Sequence, residues 1–365
     1  MNTNLLGGII FVVVFGGIIL LHEFGHFIAA RLLGIEVEEF GIGFPPRALK
    51  LFNWKGTDFT LNWIPLGGFN KIKGEDDPAI PNGMAGAKPW KRILVLLAGV
   101  TMNLLTAVLV YTLLFGQTGI PDSVIIKSIS SGSPAEQNGL KVNDIIEKAG
   151  GMKIGSEANR LIKIAHSYSN RPLALTILRD QQELSITVTP RASYPSDQGP
   201  IGIAIGNVYK RPVSWFETLP ISFSAAGSDI QNLLALPGQI IAGTISPQEA
   251  QIGGPRSIWN LFQQSVARDV SSRQTTQGSQ SSTPTNYTLL VIISLTLTVG
   301  VVNLLPIPAL DGWRIFTTLV EVIIRRPIPA KYQAAINSIG FMVLLILLGF
   351  FYIKDLISPI KFTLP

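Results

Sequence analysis

The chain has 365 residues, 47% of them hydrophobic and only 14% charged. Ordinary soluble domains carry roughly 25% charged residues, so much of this surface faces something other than water. The net charge is +6, but Lys and Arg form no dense patch with interleaved aromatics, which argues against a nucleic-acid partner and leaves the basicity as loop charge that sets membrane topology. With no Cys, a disulfide framework, thiolate metal sites and Cys nucleophiles are excluded. Any metal must then be held by His, Asp or Glu, and the chain has three His.

The first apolar run, about Leu5 to Leu33, exceeds the ~20 residues that cross a bilayer. It lacks a basic leader and a small-residue cleavage site and is too long for a signal peptide, so a retained helix is expected. Within it, "LLHEFGH" places His22 and His26 four residues apart with Glu23 beside them. On a helix the two imidazoles share a face and can ligate one zinc, while Glu23 can take a proton from water that the metal activates. Incidental helix residues are the bland alternative. An ionisable side chain at this depth costs about 2.5 kcal/mol or more, which favours a ligated or solvated role.

Next come "EVEEFGIGFPPRALKLF" and "TDFTLNWIPLGGF". Apolar and polar residues alternate there with Gly and Pro punctuation, which predicts strands and a hairpin that dips toward the membrane. Open strands survive at that depth only when buried in protein or lining a wet cavity. A second apolar run covers about Ile93 to Phe115. Residues from about Pro121 to Pro190 read as a compact soluble module, with β-branched runs "SVIIKSI", "LALTIL" and "LSITVTP" flanking a helix near Ala158 to Ala165. His166 falls in this module, as an ordinary surface or core histidine.

Trp215 to Ile241 is amphipathic and is expected to lie along the membrane surface. Ser271 to Asn286 is a Ser-, Thr- and Gln-rich tract that reads as a mobile loop. A third apolar run, about Leu289 to Ile307, ends in "NLLPIPALDGWRI", and a fourth covers about Ile336 to Ile353. Pro306 and Pro308 mark a broken helix end, which at membrane depth usually lines a cavity. Asp311 stands there as a possible third ligand for the zinc, or equally as the cap of a helix that starts at Gly312. Lys and Arg cluster in the first-to-second and third-to-fourth connections, so both are expected in the cytoplasm, with the termini and the soluble module outside.

A zinc helix in the first membrane segment, the distal Asn-x-x-Pro-x-Pro-x-x-Asp-Gly and an inserted module together resemble the site-2 protease family, from about Leu5 to Leu356. The resemblance implies bacterial intramembrane zinc metalloproteolysis, with His22, His26 and Asp311 as metal ligands and Glu23 as catalytic base. It also implies substrate-binding roles for Asn303 and for Gly67, Gly68 and Phe69 in "PLGGFNKIKGED", where the hairpin region presents substrate as an added strand. "GVTMNLLTA" is similar to the family's Gly-x-x-x-Asn stretch (Gly99 to Asn103), although close helix packing explains it as well. The module resembles a PDZ domain through "GSPAEQNGL" and "VNDII", acting either as a peptide binder or as a size filter. "GGPRSI" (Gly253 to Ile258) resembles part of an outer lid.

The expected fold is an α-helical polytopic membrane protein with about four transmembrane helices, a membrane-associated β-hairpin and an inserted extracytoplasmic PDZ-like α+β domain. Residues 1–116 would form the N-terminal core, 117–200 the PDZ-like domain, 201–286 the surface helix and loop, and 287–365 the C-terminal core. Expected partners are the lipid bilayer and single-pass transmembrane substrates already cut by another protease, such as anti-sigma factors or remnant signal peptides. The expected location is the bacterial inner membrane, with the active site toward the cytoplasm. A metal-ion transporter would need further intramembrane acids or histidines along a path, and a non-catalytic scaffold is disfavoured by the intact Glu23.

Overall fold

The computed structural model describes residues 3–75, 77, 79–195, 198–210, 214–242, 254–275, 286–326 and 328–358. It divides into two compact units, one of residues 1–114 and 219–365 and the other Phe115–Thr218.

In the first unit, α1 (Thr3–Leu32) is a 30-residue helix with no Asp, Glu, Lys or Arg before Glu23. It ends as a helix followed by glycine should: Gly34 takes φ +77°, and the N–H groups of Gly34 and Ile35 return to the carbonyls of Arg31 and Ala30. Two long antiparallel strands follow, β1 (Val37–Trp54) and β2 (Thr57–Ile72). Each of Glu39 to Ile42 has two partners, one in the early part of β2 (Asp58 to Leu61) and one in the late part (Gly68 to Lys71). The first half of β1 therefore lies between the two halves of β2. Phe27, Phe40 and Phe59 pack against one another where this sheet meets α1. Along the rest of the sheet Leu49, Leu51, Phe52, Trp54, Trp63 and Ile64 are exposed.

Helix α2 (Pro89–Thr118) crosses α1 closely, since a Cβ on Gly25 would lie 2.4 Å from the Ala98 carbonyl oxygen. Among the described residues, helices α5 (Trp215–Ile241), α6 (Pro255–Thr275), α7 (Tyr287–Asn303), α8 (Asp311–Ile324) and α9 (Ala330–Ile357) follow. Among the described residues, three helices are long and apolar enough to span a bilayer, over Leu5–Leu32, Pro89–Thr118 and Lys331–Ile357. The third expected run differs: α7 is apolar but has 17 residues, about 26 Å, against a hydrocarbon thickness of roughly 30 Å. It stops at Asn303 and not at Ile307 because Pro306 and Pro308 offer no amide hydrogen and push the residues before them out of the helical region.

Helix α6 was not expected, and it carries the first five residues of the Ser-rich tract. Residues 276–285 of that tract, and Gly253 of "GGPRSI", lie outside the described residues. Two buried polar residues of α6, Ser257 and Asp269, join helix ends. Asp355 of α9 accepts from the Ser257 N–H at 2.7 Å and from its hydroxyl. Asp269 accepts from the N–H groups of Tyr287 (2.8 Å) and Thr288 (2.9 Å), the first of α7. These orphan amides would otherwise be unpaired. Phe262 of α6 is fully buried and packs with Phe11 of α1.

The second unit holds β3 (Ile120–Ile129), α3 (Pro134–Gln137), β4 (Ile145–Ala149), β5 (Met152–Lys153), α4 (Ala158–Ser167), β6 (Leu173–Arg179), β7 (Gln182–Val188) and β8 (Ile203–Lys210). The sheet order is β7-β6-β4-β3-β8, with β5 on β4. Alternate residues of its strands, among them Val124, Ile126, Ile146, Leu175 and Ile177, are fully buried with Leu161 of α4. Strand β8 lies past the boundary expected at residue 200, so the unit is longer than its β-branched runs suggested. Asp144, itself buried, accepts from Arg179 Nε and Nη2 at 2.7 Å each and from the Lys141 N–H at 2.7 Å. Asp144→Ala removes the acceptor of Arg179 and of the Lys141 amide; it should cost about 1–3 kcal/mol locally, read as faster amide exchange in β4 and β6 with the membrane helices unchanged.

Candidate metal centre

His22 and His26 are one helical turn apart on α1 and both are buried. His22 lies ten residues before Leu32, about 15 Å along the axis from the end of the helix. The centre is therefore sunk well below the end of the apolar span. The His22 and His26 Nε2 atoms are 3.1 Å apart. Asp311 Oδ2 lies 3.0 Å from the first and 3.2 Å from the second. Donors about 2.0–2.2 Å from a tetrahedral zinc are separated by about 3.3 Å, so the three atoms already stand near the spacing that one zinc requires. Two histidines and one carboxylate also match the catalytic type of donor set, with three protein ligands and one open position. Among the described residues this is the one group of three or more His, Asp or Glu that could hold a metal. The chain of further sites that a transport path would need is not found among them.

Asp311 is the first residue of α8, yet the capping position belongs to Leu310 and no side chain caps the helix. Its carboxylate goes instead to the two imidazoles, 289 residues away from His22 in sequence. Gly312 permits this close turn, since a Cβ there would meet the Leu304 carbonyl oxygen at 2.2 Å. Arg314 pairs with Glu75, in the segment after β2. Arg92 of α2 pairs with Glu321 at 2.6 Å, and Glu321 also accepts from the Ile328 N–H at 2.9 Å. Both ends of α8 are thus tied down. Neither ion pair was foreseen, because each joins residues more than 200 apart with no local pattern.

The face of α2 toward the centre is a stripe at four-residue spacing: Val95, Gly99 and Asn103. The Val95 carbonyl accepts from His26 Nδ1 at 2.8 Å. A Cβ at Gly99 would sit 2.4 Å from His26 Nε2. Asn103 is buried, with its amide 3.4 Å from His22 Nδ1. Of the two readings of Gly99 to Asn103, helix packing alone does not describe the contacts.

Asn303, the last residue of α7, reaches the same place, its Nδ2 3.2 Å from His22 Nε2. Glu23, next to His22, lies between the centre and β2. A Cβ on Gly68 would lie 2.9 Å from Leu20 Cα and 3.2 Å from Glu23 Cγ, and Asn70 Nδ2 donates to the Glu23 carbonyl at 3.4 Å. Gly67 has φ +78° and would clash with Ile19, while Gly16 lies against the Gly67 nitrogen. The glycines let the strand lie directly on the zinc helix. Phe69 pairs with Gly41 on β1 and is half-buried. His22, His26, Asn303 and Asp311 thus gather around one point, with Gly68 against the adjacent Glu23 side chain.

Comparison with known proteins agrees with this geometry. The model of peptidase family M50 matches residues 10–347. A protein of Clostridium perfringens named as a zinc metalloprotease is 35% identical over 350 residues, 95% of this chain and 97% of the relative. One of Campylobacter jejuni, named likewise, is 30% identical over 94% of this chain and 92% of its own length. A chloroplast protein of Arabidopsis thaliana named as a membrane metalloprotease is 29% identical over 94% of this chain and 78% of its own. The chain belongs to peptidase family M50, the site-2 proteases, and is a zinc metalloprotease of the membrane.

Proposed function

We propose that this protease hydrolyses peptide bonds in or near the membrane segment of single-pass proteins, with zinc held by His22, His26 and Asp311. The observation that carries the reading is the approach of three donor atoms from α1 and α8 to within 3.0–3.2 Å of one another, deep along an apolar helix. Bound there, zinc polarises a peptide carbonyl and activates water as a nucleophile. Glu23 takes the proton that water loses as its oxygen bonds to the carbonyl carbon, then gives it to the amide nitrogen as the C–N bond breaks. The Asn303 amide is placed to donate to the carbonyl oxygen as charge develops on it.

A transmembrane helix hides its carbonyls in internal hydrogen bonds, so a substrate must unwind and find other partners. The Gly67 to Phe69 stretch, packed on α1 beside Glu23, supplies main-chain groups for an added strand. Gly68→Val should push this strand off α1 and lower cleavage by about 10²-fold, with zinc content unchanged. Loss of zinc together with activity would place the glycine's role in the metal centre instead.

Substrates shortened by an earlier cut, such as anti-sigma factors or remnant signal peptides, fit the family resemblance. The Lys and Arg of the connections support a reading with the active site toward the cytoplasm and the second unit outside an inner membrane. Within that unit a cavity of about 200 Å³ is lined by Leu161, Ile162 and His166 of α4 and by Ile203 and Ile205 of the edge strand β8. That groove favours a PDZ-like peptide-binding role over a pure size filter. The test is cleavage of a model single-pass substrate by the purified full chain in liposomes. Cuts mapped inside the membrane segment, lost with a chelator and restored by zinc, are expected. Cleavage confined to soluble loops would overturn the reading.

A further inference from the structure

We propose that Asn103 is a positioning residue for His22: its side-chain carbonyl accepts from His22 Nδ1–H and so keeps the Nε2 lone pair turned to the metal. The inference rests on the reading of His22 as a ligand. It begins with the contrast between the two imidazoles.

His26 is unambiguous. The Val95 carbonyl 2.8 Å from its Nδ1 can only accept, so Nδ1 carries a hydrogen, and in the neutral ring the Nε2 lone pair points to the space shared with Asp311 and His22. A ligating His22 needs the same tautomer, because a hydrogen on Nε2 would occupy the position the metal takes. Its Nδ1–H then needs an acceptor, in a ring that is 4% exposed. The amide of Asn103 is the group the structure places there, at 3.4 Å from Nδ2. The Oδ1 of that same amide is buried with no hydrogen-bond partner. A buried polar atom left unpaired costs about 1–3 kcal/mol, and an N–H facing Nδ1 would select the wrong tautomer. A half-turn of the amide exchanges two groups of nearly equal shape and turns Oδ1 to accept from Nδ1–H, in the tautomer that a ligating His22 needs.

The surroundings are arranged for an amide and not for a packing side chain. An apolar residue would fill the same contact between α1 and α2 without the cost of burying polar atoms. Space for Asn103 is made across the interface by Gly300 of α7, where a Cβ would lie 3.3 Å from Asn103 Cβ. Val95 and Asn103, eight residues apart on one face of α2, thus serve the two imidazoles in the same way, the first with a backbone carbonyl and the second with a side-chain one.

The experiment uses the full chain in detergent micelles with 15N-labelled histidine, together with zinc affinity measured by competition with a chromophoric chelator. In the wild type, His22 should show a protonated Nδ1 and an unprotonated Nε2. Asn103→Leu should weaken zinc binding by 10–100-fold and leave His22 as a mixture of tautomers. Asn103→Asp, which keeps an acceptor, should bind zinc at least as tightly as the wild type. A purely structural role would not separate these two variants in that direction. Equal zinc affinity in Asn103→Leu and wild type, or a His22 ring protonated at Nε2 in the wild type, would overturn the proposal. Should Asn103→Leu fail to fold, the wild-type nitrogen spectrum still decides. His22→Leu is the control for the underlying reading: if it keeps its zinc, the ligand assignment fails; if it loses zinc while Asn103→Leu does not, only the role of Asn103 fails.

Discussion

Glu23→Gln is expected to abolish peptide hydrolysis while leaving zinc bound. The side chain is not among the three converging donors, which are His22 Nε2, His26 Nε2 and an Asp311 oxygen. Gln has nearly the same shape as Glu but can neither accept the proton from water nor return it to the leaving amine. General acid–base help contributes about 10²–10⁴-fold to such reactions, and a fall of at least that size in cleavage of a transmembrane substrate is the expected reading. Metal analysis of the same preparation should give one zinc per chain. Full activity in this variant would exclude Glu23 as the proton carrier, and loss of zinc would make it a ligand.

Gly99→Ala should be nearly as damaging, although alanine is the better helix former by about 1 kcal/mol. A methyl group on Gly99 would lie 2.4 Å from His26 Nε2 and 2.8 Å from His22 Cε1, where no atom can stay. The rings cannot retreat easily, because His26 is fixed to the Val95 carbonyl and α1 and α2 are already in backbone contact at Gly25. Displacements of about 1 Å cost roughly 10²-fold in catalysis, so activity should drop at least that far and zinc affinity with it. Helix content by circular dichroism should hold or rise slightly. Wild-type zinc affinity in Gly99→Ala would mean that the two helices are not packed as described.

The features legible in the sequence are those with a local signature. The four-residue spacing of His22 and His26 is one, the apolar lengths of α1 and α2 another, and the amphipathic stretch Trp215–Ile241 is a helix with those same bounds. Asp311 was legible as a candidate but not as a ligand, because Asp before Gly reads equally well as a helix cap. Only the fold, by returning α7 and α8 to α1, sets it beside the imidazoles. Helix α6 was missed because periodicity reading treats Ser257, Ser265 and Asp269 as surface residues, whereas all three are buried and two of them join helix ends. Strand β8 was missed because "GIAIGNV" is interrupted by Gly202, Gly206 and Asn207 and follows a Pro- and Ser-rich loop. Gly99 and Asn103 show the same limit within the site. Their spacing is visible, but that one leaves room for a ring and the other faces its nitrogen is decided by a neighbouring helix.

The convergence of α1 and α8 on one ion is tested most directly by X-ray absorption at the zinc edge, on the wild type and on Asp311→Ala. The wild type should show two imidazole nitrogens and a carboxylate oxygen at about 2.0–2.2 Å. In the variant the carboxylate contribution should vanish and zinc affinity should fall. An identical spectrum and unchanged affinity in Asp311→Ala would contradict the assignment of that carboxylate to the metal.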